Sequence, residues 1–395
     1  MRGLNRYSQT NGQRNKIANE DAKSARKVSI FSRICFLPSC NGRPLATIGV
    51  HMKSISYLIV SLALPILCIS AKKQFSGTYV DPKDPNIPAD FAFQGEYSGN
   101  GMGAQVIGLD KGAFQAVLYP GGLPGAGWDG KNRSLLSGKL EGKKVTLSPA
   151  DGNRKYLAGS PEAFSATKKF PPEGHKPYSG SIAKGTLTLG KDLNLKKITR
   201  TPPTMGKKAP KGAITLFDGS NKDEWQGGRL DEKTKLLNTD GSDIRTKRKF
   251  NDYHMHIEFL LPYRPAARGQ GRGNSGFYQI DHFEVQILDS FGLEGVNNEC
   301  GGIYSIKDSD VNACFPPLSW QTYDVDFTNA KTKDGKKVKN AKITVRLNGI
   351  VIHDNFEIPR KTGGSRGEPE GTPGPMKLQG HGNPLQFRNI WIVEK

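Results

Sequence analysis

The sequence contains few cysteines and no long apolar run. Only 5 of its 395 residues are Cys and only 4 are Trp. No 18 consecutive residues are apolar, which excludes a full-length transmembrane helix and a multispan membrane protein, so we expect no stable membrane span. The 47 Gly and 25 Pro are too few for a collagen-like or low-complexity chain, but they favour many turns and short strands. The length predicts two or three domains.

Basic residues outnumber acidic residues, 57 to 37, and the formal net charge is +20. A basic surface is typical of proteins that bind nucleic acid. Here the lysines occur in scattered clusters such as Lys336-Lys337, without interleaved aromatic residues and without a binding motif. The charge therefore predicts a solvated basic surface, and we expect no nucleic-acid partner.

The N-terminal region has the pattern of an export signal. A short basic segment begins at Met52, an apolar stretch follows over 55–69, and small residues stand at 70–71. This order is that of a secretory signal peptide. We therefore predict a signal peptide over 52–71, preceded by an over-called or disordered extension over 1–51, and export to the periplasm or the extracellular space.

Removal of that signal leaves two cysteines, Cys300 and Cys314. In an oxidising compartment two cysteines that enclose a short loop predict a disulfide, which stabilises a fold by about 3 kcal/mol through loop-closure entropy. Two buried free thiols are the alternative. A metal site needs more ligands than two cysteines supply.

The remaining chain shows short alternating segments in two regions. In the first, which we assign as a small β-rich domain over 72–200, strands are predicted at 105–109, 114–119, 144–147 and 185–189. A segment rich in Pro and Lys at 201–211 predicts a linker with little to bury. The second domain covers 212–395.

In the second domain, alternation predicts strands at 254–259, 282–288 and 385–393. Segments 343–347 and 350–352 flank Asn348-Gly349, a strong hairpin signal. About ten such segments in roughly 185 residues favour an all-β, two-sheet antiparallel sandwich.

The polar faces of these strands carry carboxylates, imidazoles and amides instead of the usual Lys, Thr and Ser. If the strands line one sheet, these groups converge on a cleft suited to hydrogen bonding of a polyol and to proton transfer near neutral pH. A plain solvent-exposed face is the alternative. The residues concerned are His256, Glu258, Glu284, Gln286, Gln379 and His381.

Eight ordered motifs of the second domain match a known family. They are Leu216-Phe217-Asp218-Gly219 with Trp225, Asn274-Ser275-Gly276-Phe277-Tyr278, the segment 283–289, Gly301-Gly302-Ile303-Tyr304, the segment 320–325, Leu347-Asn348-Gly349, Leu378-Gln379-Gly380-His381-Gly382 and the segment 387–392. In order and spacing they resemble the DUF1080 family, also called the 3-keto-disaccharide hydrolase domain, over 214–395.

The resemblance implies a concanavalin-A-like (laminin-G-like) jelly roll and an exported carbohydrate-active enzyme, a hydrolase or lyase that cleaves 3-keto-glycosides. A 3-keto group acidifies the C2 proton, so that a base removes it, the C1 substituent leaves and water adds back. Glu284 is the expected base and His381 the other acid/base group. The alternative is a non-catalytic glycan-binding module, because fold does not fix function.

The resemblance also implies sugar-binding roles and a possible divalent cation. His256 and Glu258, together with Glu284, are the candidate cation ligands. Core packing for Trp320, a loop cap for Asp289 and a structural ion pair for Arg388 remain open alternatives. The Arg/Gly-rich stretch 264–272 is a candidate lid or a loop that favours an acidic sugar. The expected sugar-binding residues are Gln286, Asp289, Asn274, Tyr304, Trp320, Gln379 and Arg388.

Overall fold

The computed structural model describes residues 75–150 and 169–395. The predicted extension over 1–51 and the predicted signal peptide over 52–71 lie outside these described residues. Within the described part of the chain, no helix has both the length and the apolar character needed to cross a membrane.

The first region forms a closed antiparallel barrel of eight strands, in which each strand pairs with the next and the last pairs with the first. Tyr97, Val106 and Leu118 are among the side chains that fill its interior. Gly138 leaves room there, since a Cβ would come within 2.8 Å of the Leu147 side chain. The strands are β1 (Gly95–Gly99), β2 (Met102–Gly108), β3 (Ala113–Pro120), β4 (Ser134–Glu141), β5 (Lys144–Pro149), β6 (Gly180–Ala183), β7 (Thr186–Leu189) and β8 (Leu193–Ile198).

The second region is built from short antiparallel strands in two main sheets, with β18 and β19 as a separate hairpin. Its strands are β9 (Ile214–Phe217), β10 (Trp225–Gln226), β11 (Arg229–Asp231), β12 (Leu236–Asn238), β13 (Ile244–Thr246), β14 (Tyr253–Leu260), β15 (Asn274–Gln279), β16 (Phe283–Leu288), β17 (Trp320–Thr328), β18 (Lys331–Lys333), β19 (Lys336–Lys339), β20 (Ala341–Leu347), β21 (Ile350–Ile358), β22 (Lys377–Leu378) and β23 (Gln386–Glu394). Two short 3₁₀ helices, Ala89–Ala92 and Gly269–Gly271, are also described.

The two main sheets pack face to face. The five-stranded sheet has the order β10-β13-β22-β15-β16, and the eight-stranded sheet has the order β11-β12-β23-β14-β17-β20-β21, with β9 beside β23. This architecture confirms the predicted all-β jelly-roll sandwich.

Alternating apolar side chains of both sheets form one core. Phe277 and Val285 come from the five-stranded sheet, and Phe259 and Tyr323 come from the eight-stranded sheet. The rings of Phe277 and Tyr323 stack across the core with centroids 6.0 Å apart. The period-2 alternation read from the sequence is therefore confirmed, and it decides which side chains of each strand point away from the core.

The predicted hairpin is present between β20 and β21. Asn348 and Gly349 occupy its turn with φ of 53° and 82°, the left-handed values that a two-residue turn of this kind requires. An Asn-Gly pair adopts these values with little strain, which is why the sequence identified the turn correctly.

The segment 201–211 lies against the sandwich, contrary to the expectation of a linker with little to bury. The Thr204 hydroxyl donates to Asp324 Oδ2 at 2.6 Å, and the Gly206 backbone N–H donates to Glu258 Oε1 at 2.6 Å. The Lys207 carbonyl accepts from Trp391 Nε1 at 3.1 Å. The prediction was wrong because the contacts are polar and involve the backbone, which apolar content does not reveal.

The barrel and the sandwich belong to one compact unit. Glu96 on β1 lies 2% exposed between Gln105 and Arg200, and its carboxylate accepts from Arg200 at 2.6 and 2.7 Å. The Arg200 guanidinium in turn lies 4.7 Å from the centre of the Phe315 ring of the sandwich. This buried ion pair therefore connects the barrel wall to the second region.

Replacing Glu96 by Ala is expected to lower the free energy of unfolding by about 2 kcal/mol, because the half-buried Arg200 guanidinium loses its counter-ion. Urea unfolding followed by circular dichroism measures the change. The matched control is Glu232→Ala, which removes an exposed partner of Lys235 and is expected to have no measurable effect. Equal effects of the two substitutions would contradict the structural role of Glu96.

Candidate active site

A row of polar side chains crosses the outer face of the five-stranded sheet. The strand register places Tyr278 opposite Glu284, Lys377 opposite Tyr278, and Arg245 opposite Lys377. The neighbouring positions along these strands, such as Phe277 on β15, point into the core. The row is therefore a direct result of period-2 alternation on four adjacent strands.

Glu284 lies at one end of this row and is almost completely buried, with 3% of its surface exposed. Its Oε2 lies 2.8 Å from the Tyr278 hydroxyl, which also lies 2.9 Å from the Gly363 carbonyl. Gly276 makes space for the carboxyl group, because a Cβ at that position would come within 2.3 Å of Glu284 Oε1. The Glu284 backbone N–H donates to Thr362 Oγ1 at 2.9 Å, which holds the strand beneath the 362–364 segment.

Lys377 and Arg245 share one carboxylate, that of Asp281. Lys377 Nζ lies 2.8 Å from Asp281 Oδ1, and Arg245 Nε lies 2.7 Å from Asp281 Oδ2. Lys377 Nζ also donates to the Gly364 carbonyl at 2.6 Å and lies 3.5 Å from the centre of the Tyr278 ring. The buried ammonium therefore holds the tyrosine ring in place beside Glu284.

The surroundings of Glu284 change its acidity. Burial raises the pKa of the Glu284 carboxyl to about 7, although the Tyr278 hydrogen bond and the Lys377 charge act in the opposite direction. Burial, followed by the neighbouring Glu284 charge, raises the pKa of the Tyr278 hydroxyl well above its ordinary value. A carboxyl group with a pKa near 7 exists in both protonation states at neutral pH, as a general base requires.

Three carboxamides lie together beside Glu284. Gln286 follows it on β16 and occupies the same face, opposite Gly276. Gln270 Oε1 accepts from Asn274 Nδ2 and from Gln286 Nε2, both at 3.1 Å, and the Gln270 carbonyl also accepts from Asn274 Nδ2 at 2.9 Å. The predicted sugar-binding residues Asn274 and Gln286 are thus adjacent in the structure.

Gln379, Tyr304 and His381 lie on the loops around this face. The backbone N–H of Gln379 donates to the Gly276 carbonyl at 2.9 Å, and that of Tyr304 donates to the Glu284 carbonyl at 3.2 Å. His381 is exposed, and among the described residues no hydrogen bond or ion pair joins its side chain to Glu284. The paired acid/base role expected for His381 therefore stays a prediction without a described contact.

Four of the expected residues lie on the outer face of the opposite sheet, so the single cleft expected from the sequence is wrong. Glu258 accepts from Arg388 Nε at 2.6 Å, and the Arg388 guanidinium lies 4.0 Å from the centre of the Trp320 ring. His256 Nδ1 lies 2.8 Å from Asp324 Oδ1. The hydrophobic core separates this face from Glu284, since β14 and β16 belong to different sheets. Arg388 and Trp320 therefore cannot contact a sugar that is bound at Glu284.

The proposed cation ligands do not fit a metal. His256 and Glu258 lie on one sheet and Glu284 on the other, and the oxygens of Glu258 are occupied by Arg388, Asn389 and the Gly206 N–H. Burial opposes ionisation of Glu258, yet hydrogen bonds from these groups and from His256 lower its pKa to about 2. Among the described residues no group of three or more His, Cys, Asp or Glu is placed to hold a metal.

Asp289 is also unsuited to sugar binding. It is 1% exposed, and its Oδ2 lies 2.9 Å from Arg272 Nε and 2.7 Å from Arg272 Nη2. Both partners are buried, so this is an internal ion pair. Because β16 and its alternation pattern end at Leu288, alternation does not predict which way the Asp289 side chain points.

The predicted disulfide is absent, because Cys300 and Cys314 are both free and buried. Cys300 Sγ lies 3.4 Å from the Tyr323 hydroxyl, and Cys314 Sγ donates to the Phe315 carbonyl at 3.4 Å. The two thiols are therefore accommodated by oxygen partners in the core. The prediction followed from the expected oxidising compartment, which does not fix the side-chain geometry.

Sequence reasoning missed several residues of the face. Tyr278 ends the motif Asn274-Ser275-Gly276-Phe277-Tyr278, which assigns it no role, although alternation along β15 places it on the same side as Gly276. Lys377 lies on a two-residue strand and Gln270 lies in a three-residue 3₁₀ helix, and elements this short give no periodic signal. Only the folded chain brings these residues to Glu284.

The raised pKa of Glu284 predicts a pH dependence of stability. Between pH 4.5 and 7 the folded chain binds this proton more tightly than the unfolded chain, so the contribution of Glu284 to stability falls as the pH rises through this window. From pH 5 to pH 8, wild-type protein is expected to lose about 2.5 kcal/mol more unfolding free energy than Glu284→Gln. Urea titrations at both pH values measure this difference, and parallel losses in both proteins would contradict a carboxyl pKa near 7.

The chain is similar to a known protein family and to several solved structures. The family model described as a 3-keto-alpha-glucoside-1,2-lyase-like domain matches residues 212–393. A proposed glycosyl hydrolase from Parabacteroides distasonis is 33% identical over 47% of this chain and 85% of its own, with a TM-score of 0.44. A second proposed glycosyl hydrolase from that organism is 18% identical over 47% of this chain and 94% of its own, with a TM-score of 0.34.

A β-glucanase from Bacillus licheniformis is 12% identical over 47% of this chain and all of its own, with a TM-score of 0.24. No curated protein matches the chain. The family model covers the second region, which carries the motifs and Glu284. Through residues 212–393, the chain therefore belongs to the 3-keto-α-glucoside-1,2-lyase-like domain family.

Proposed function

We propose that the protein is an exported carbohydrate-active enzyme that cleaves 3-keto-glycosides by removal of the C2 proton, elimination of the C1 substituent and hydration. The observation that carries this proposal is the buried Glu284 carboxyl, whose pKa of about 7 suits a base at neutral pH. Family membership and the related glycosyl hydrolases support action on a carbohydrate. Export is proposed from the signal-like segment 52–71.

In the proposed reaction an oxygen of the Glu284 carboxylate takes the proton from C2. The electron pair of the C–H bond then forms an enolate with the C3 ketone. The enolate re-forms the ketone and a C1=C2 double bond as the C1–O bond breaks, and the departing oxygen takes a proton from water, which releases the second sugar or aglycone as an alcohol. The hydroxide left by that water adds to C1, and Glu284 returns its proton to C2 to complete a hydrolysis. Each step requires one well-placed base and a nearby source of positive charge.

Tyr278 and Lys377 lower the pKa of this base. The Tyr278 hydroxyl lies 2.8 Å from Glu284 and stabilises the ionised carboxylate, while the Lys377 ammonium supplies positive charge behind the Tyr278 ring. An enolate formed next to Glu284 would develop its negative charge in the field of Lys377. The developing charge is thus compensated by groups whose positions the sheet already fixes.

The arrangement of acids around Glu284 favours elimination over ordinary glycoside hydrolysis. An ordinary glycosidase needs a second carboxyl group free to act on the glycosidic bond. The two neighbouring acids, Asp243 and Asp281, are both paired with Arg245, at 3.6 and 2.7 Å. A mechanism with one carboxyl base therefore agrees better with the described residues of this face.

Replacing Glu284 by Gln tests the base. Turnover of a nitrophenyl 3-keto-glucoside by the full chain is expected to fall about 10³-fold, whereas the Kd for the same sugar is expected to change less than threefold. Release of nitrophenol measures turnover, and calorimetry measures binding. Glu357→Gln, an exposed position on β21, is the matched control and is expected to keep wild-type activity. Binding without turnover in the wild-type protein would favour the glycan-binding module instead.

Replacing Tyr278 by Phe tests the partner of the base. Because the Tyr278 hydrogen bond lowers the pKa of Glu284, its loss is expected to move the acidic limb of the pH–rate profile to higher pH. The measurement is kcat/KM between pH 5 and 9. The rate loss is expected to be large at pH 6 and small at pH 9, and an acidic limb that does not move would contradict this role.

A further inference from the structure

The stretch 264–272, predicted as a lid or as a loop that favours an acidic sugar, uses its arginines within the protein. Arg264 and Arg268 donate to backbone carbonyls at 2.9 and 2.8 Å. Arg272 is paired with the buried Asp289, 2.7 Å away. These guanidinium groups are therefore occupied, and uncompensated positive charge lies elsewhere, on the hairpin of β18 and β19.

The β18–β19 hairpin concentrates lysines on one small element. Segment 331–339 contains five Lys and one Asp in nine residues. Its two strands form a sheet of their own, and every residue of both strands is exposed. Asp334 and Gly335 form the turn with φ of 51° and 73°, the left-handed values of a two-residue turn. The folded hairpin therefore joins lysines that the sequence shows as separate small clusters.

Like charges stand directly opposite each other across this hairpin. The register pairs Lys331 with Lys339 and Lys333 with Lys336. Residues in such positions have Cβ atoms about 5 Å apart, and like charges there destabilise a sheet. A two-stranded hairpin is only marginally stable by itself. The lysines therefore lower the stability of the hairpin, and a bound anion offsets their repulsion.

Two of the five ammonium groups have an anionic partner, and three do not. Lys331 Nζ lies 3.2 Å from Asp252 Oδ2, and Lys337 Nζ lies 3.0 Å from Glu370 Oε2. Val338, on the second strand, is 57% exposed. The hairpin thus combines available positive charge with a small apolar contact. Among the described residues, no hydrogen bond or ion pair involves the ammonium groups of Lys333, Lys336 and Lys339.

The hairpin contacts the loop 359–371, which also covers Glu284. Lys337 Nζ donates to a backbone carbonyl of this loop at 2.5 Å. Thr362, in the same loop, accepts from the Glu284 backbone N–H through its hydroxyl oxygen. Because side chains alternate along a strand, the neighbouring Lys336 lies on the other face of the hairpin, away from the loop. A ligand on that outer face is therefore held beside the active face but outside it.

The composition of the hairpin favours an acidic polysaccharide over other polyanions. Surfaces that bind single-stranded nucleic acid add aromatic rings on which bases stack, and segment 331–339 has no aromatic residue and no Arg. Segments that bind a membrane surface add large apolar side chains such as Trp, Phe and Leu, whereas this hairpin exposes only a valine. Lysine ammonium groups act as point charges, which suit the single carboxylates on the rings of a uronate polymer.

We propose that the β18–β19 hairpin is a second carbohydrate-binding surface, which holds an acidic polysaccharide that carries uronate groups. The carboxylates of the polymer pair with Lys333, Lys336 and Lys339, and Val338 contacts the C–H groups of a sugar ring. Binding relieves the repulsion between the opposed lysines and weakens as salt screens the charges. This surface lies outside the active face, and the proposal does not depend on 3-keto chemistry.

The test measures the Kd of the full chain for polygalacturonate, a uronate polymer, by biolayer interferometry at 0.1 and 1 M NaCl. Binding is expected at the lower salt concentration and is expected to weaken more than tenfold at the higher one, because the Debye length falls from about 10 Å to about 3 Å. Dextran, a neutral polysaccharide, is the control ligand and is expected to bind about tenfold more weakly than polygalacturonate at 0.1 M NaCl.

Two triple variants with the same loss of charge locate the surface. The hairpin variant combines Lys333→Gln, Lys336→Gln and Lys339→Gln, and its Kd for polygalacturonate is expected to rise about tenfold, because each exposed ion pair contributes little alone. The control variant changes three exposed lysines of the barrel, and its Kd is expected to stay within twofold of wild type. Its substitutions are Lys143→Gln, Lys144→Gln and Lys191→Gln.

Two further readouts show that the hairpin variant remains intact. Its free energy of unfolding in urea is expected to equal or exceed that of wild type, because opposed like charges have been removed. Its turnover of nitrophenyl 3-keto-glucoside is expected to match wild type, since none of the three lysines lies on the active face.

The outcomes separate this proposal from the proposed function. Equal losses of polygalacturonate binding in the two triple variants would show that net charge alone is responsible and would overturn the proposal. Equal affinity for dextran and polygalacturonate, or tighter binding of anionic vesicles or DNA at the hairpin, would also overturn it. No turnover by a wild-type chain that binds polygalacturonate through the hairpin would overturn the proposed function and leave this surface in place.

Discussion

The active face depends on the exclusion of water from the Glu284 carboxyl group. An acid on the outer face of a sheet ordinarily meets solvent and ionises well below neutral pH. Here the Tyr278 ring, the missing Cβ of Gly276 and the 362–364 segment enclose the carboxyl group, and burial raises its pKa to about 7. The Tyr278 hydroxyl and the Lys377 charge keep it from rising further, so the group remains able to lose its proton near neutral pH.

The opposite sheet shows that burial alone does not produce such a base. Glu258 also has almost no exposed surface, yet its pKa falls to about 2 because His256, Asn389, Arg388 and the Gly206 N–H all bond to it. Desolvation destabilises the charged form of both acids and raises both pKa values. At Glu258 the hydrogen-bond donors outweigh this effect, and at Glu284 they do not. Glu258 therefore fastens the 201–211 segment to the sandwich, whereas Glu284 stays chemically available.

The barrel contributes to this arrangement through loops of the sandwich. Glu96 and Arg200 connect its wall to Phe315, and Phe291 packs into a barrel cluster that includes Leu109. Phe291 and Phe315 are the two ends of the segment 291–315. The barrel therefore holds both ends of the segment that carries Tyr304, whose backbone N–H donates to the Glu284 carbonyl. A rigid support of this kind keeps polar side chains in position before a ligand arrives, and it reduces the entropy lost on binding.

The sequence by itself determined the all-β sandwich, the strand alternation and the hairpin at Asn348-Gly349, because period-2 patterning and turn chemistry are local properties. Glu284 became the candidate base through the resemblance to the family, and that role stays a prediction. It did not reveal that His256 and Glu258 face away from Glu284, since alternation assigns a side of a strand but not the sheet to which the strand belongs. The partners Tyr278, Lys377 and Gln270, the free state of the two cysteines and the polar packing of 201–211 were decided by the tertiary structure alone. All of them depend on contacts between segments distant in sequence, and such contacts set the burial and the hydrogen bonding that control the chemistry of each group.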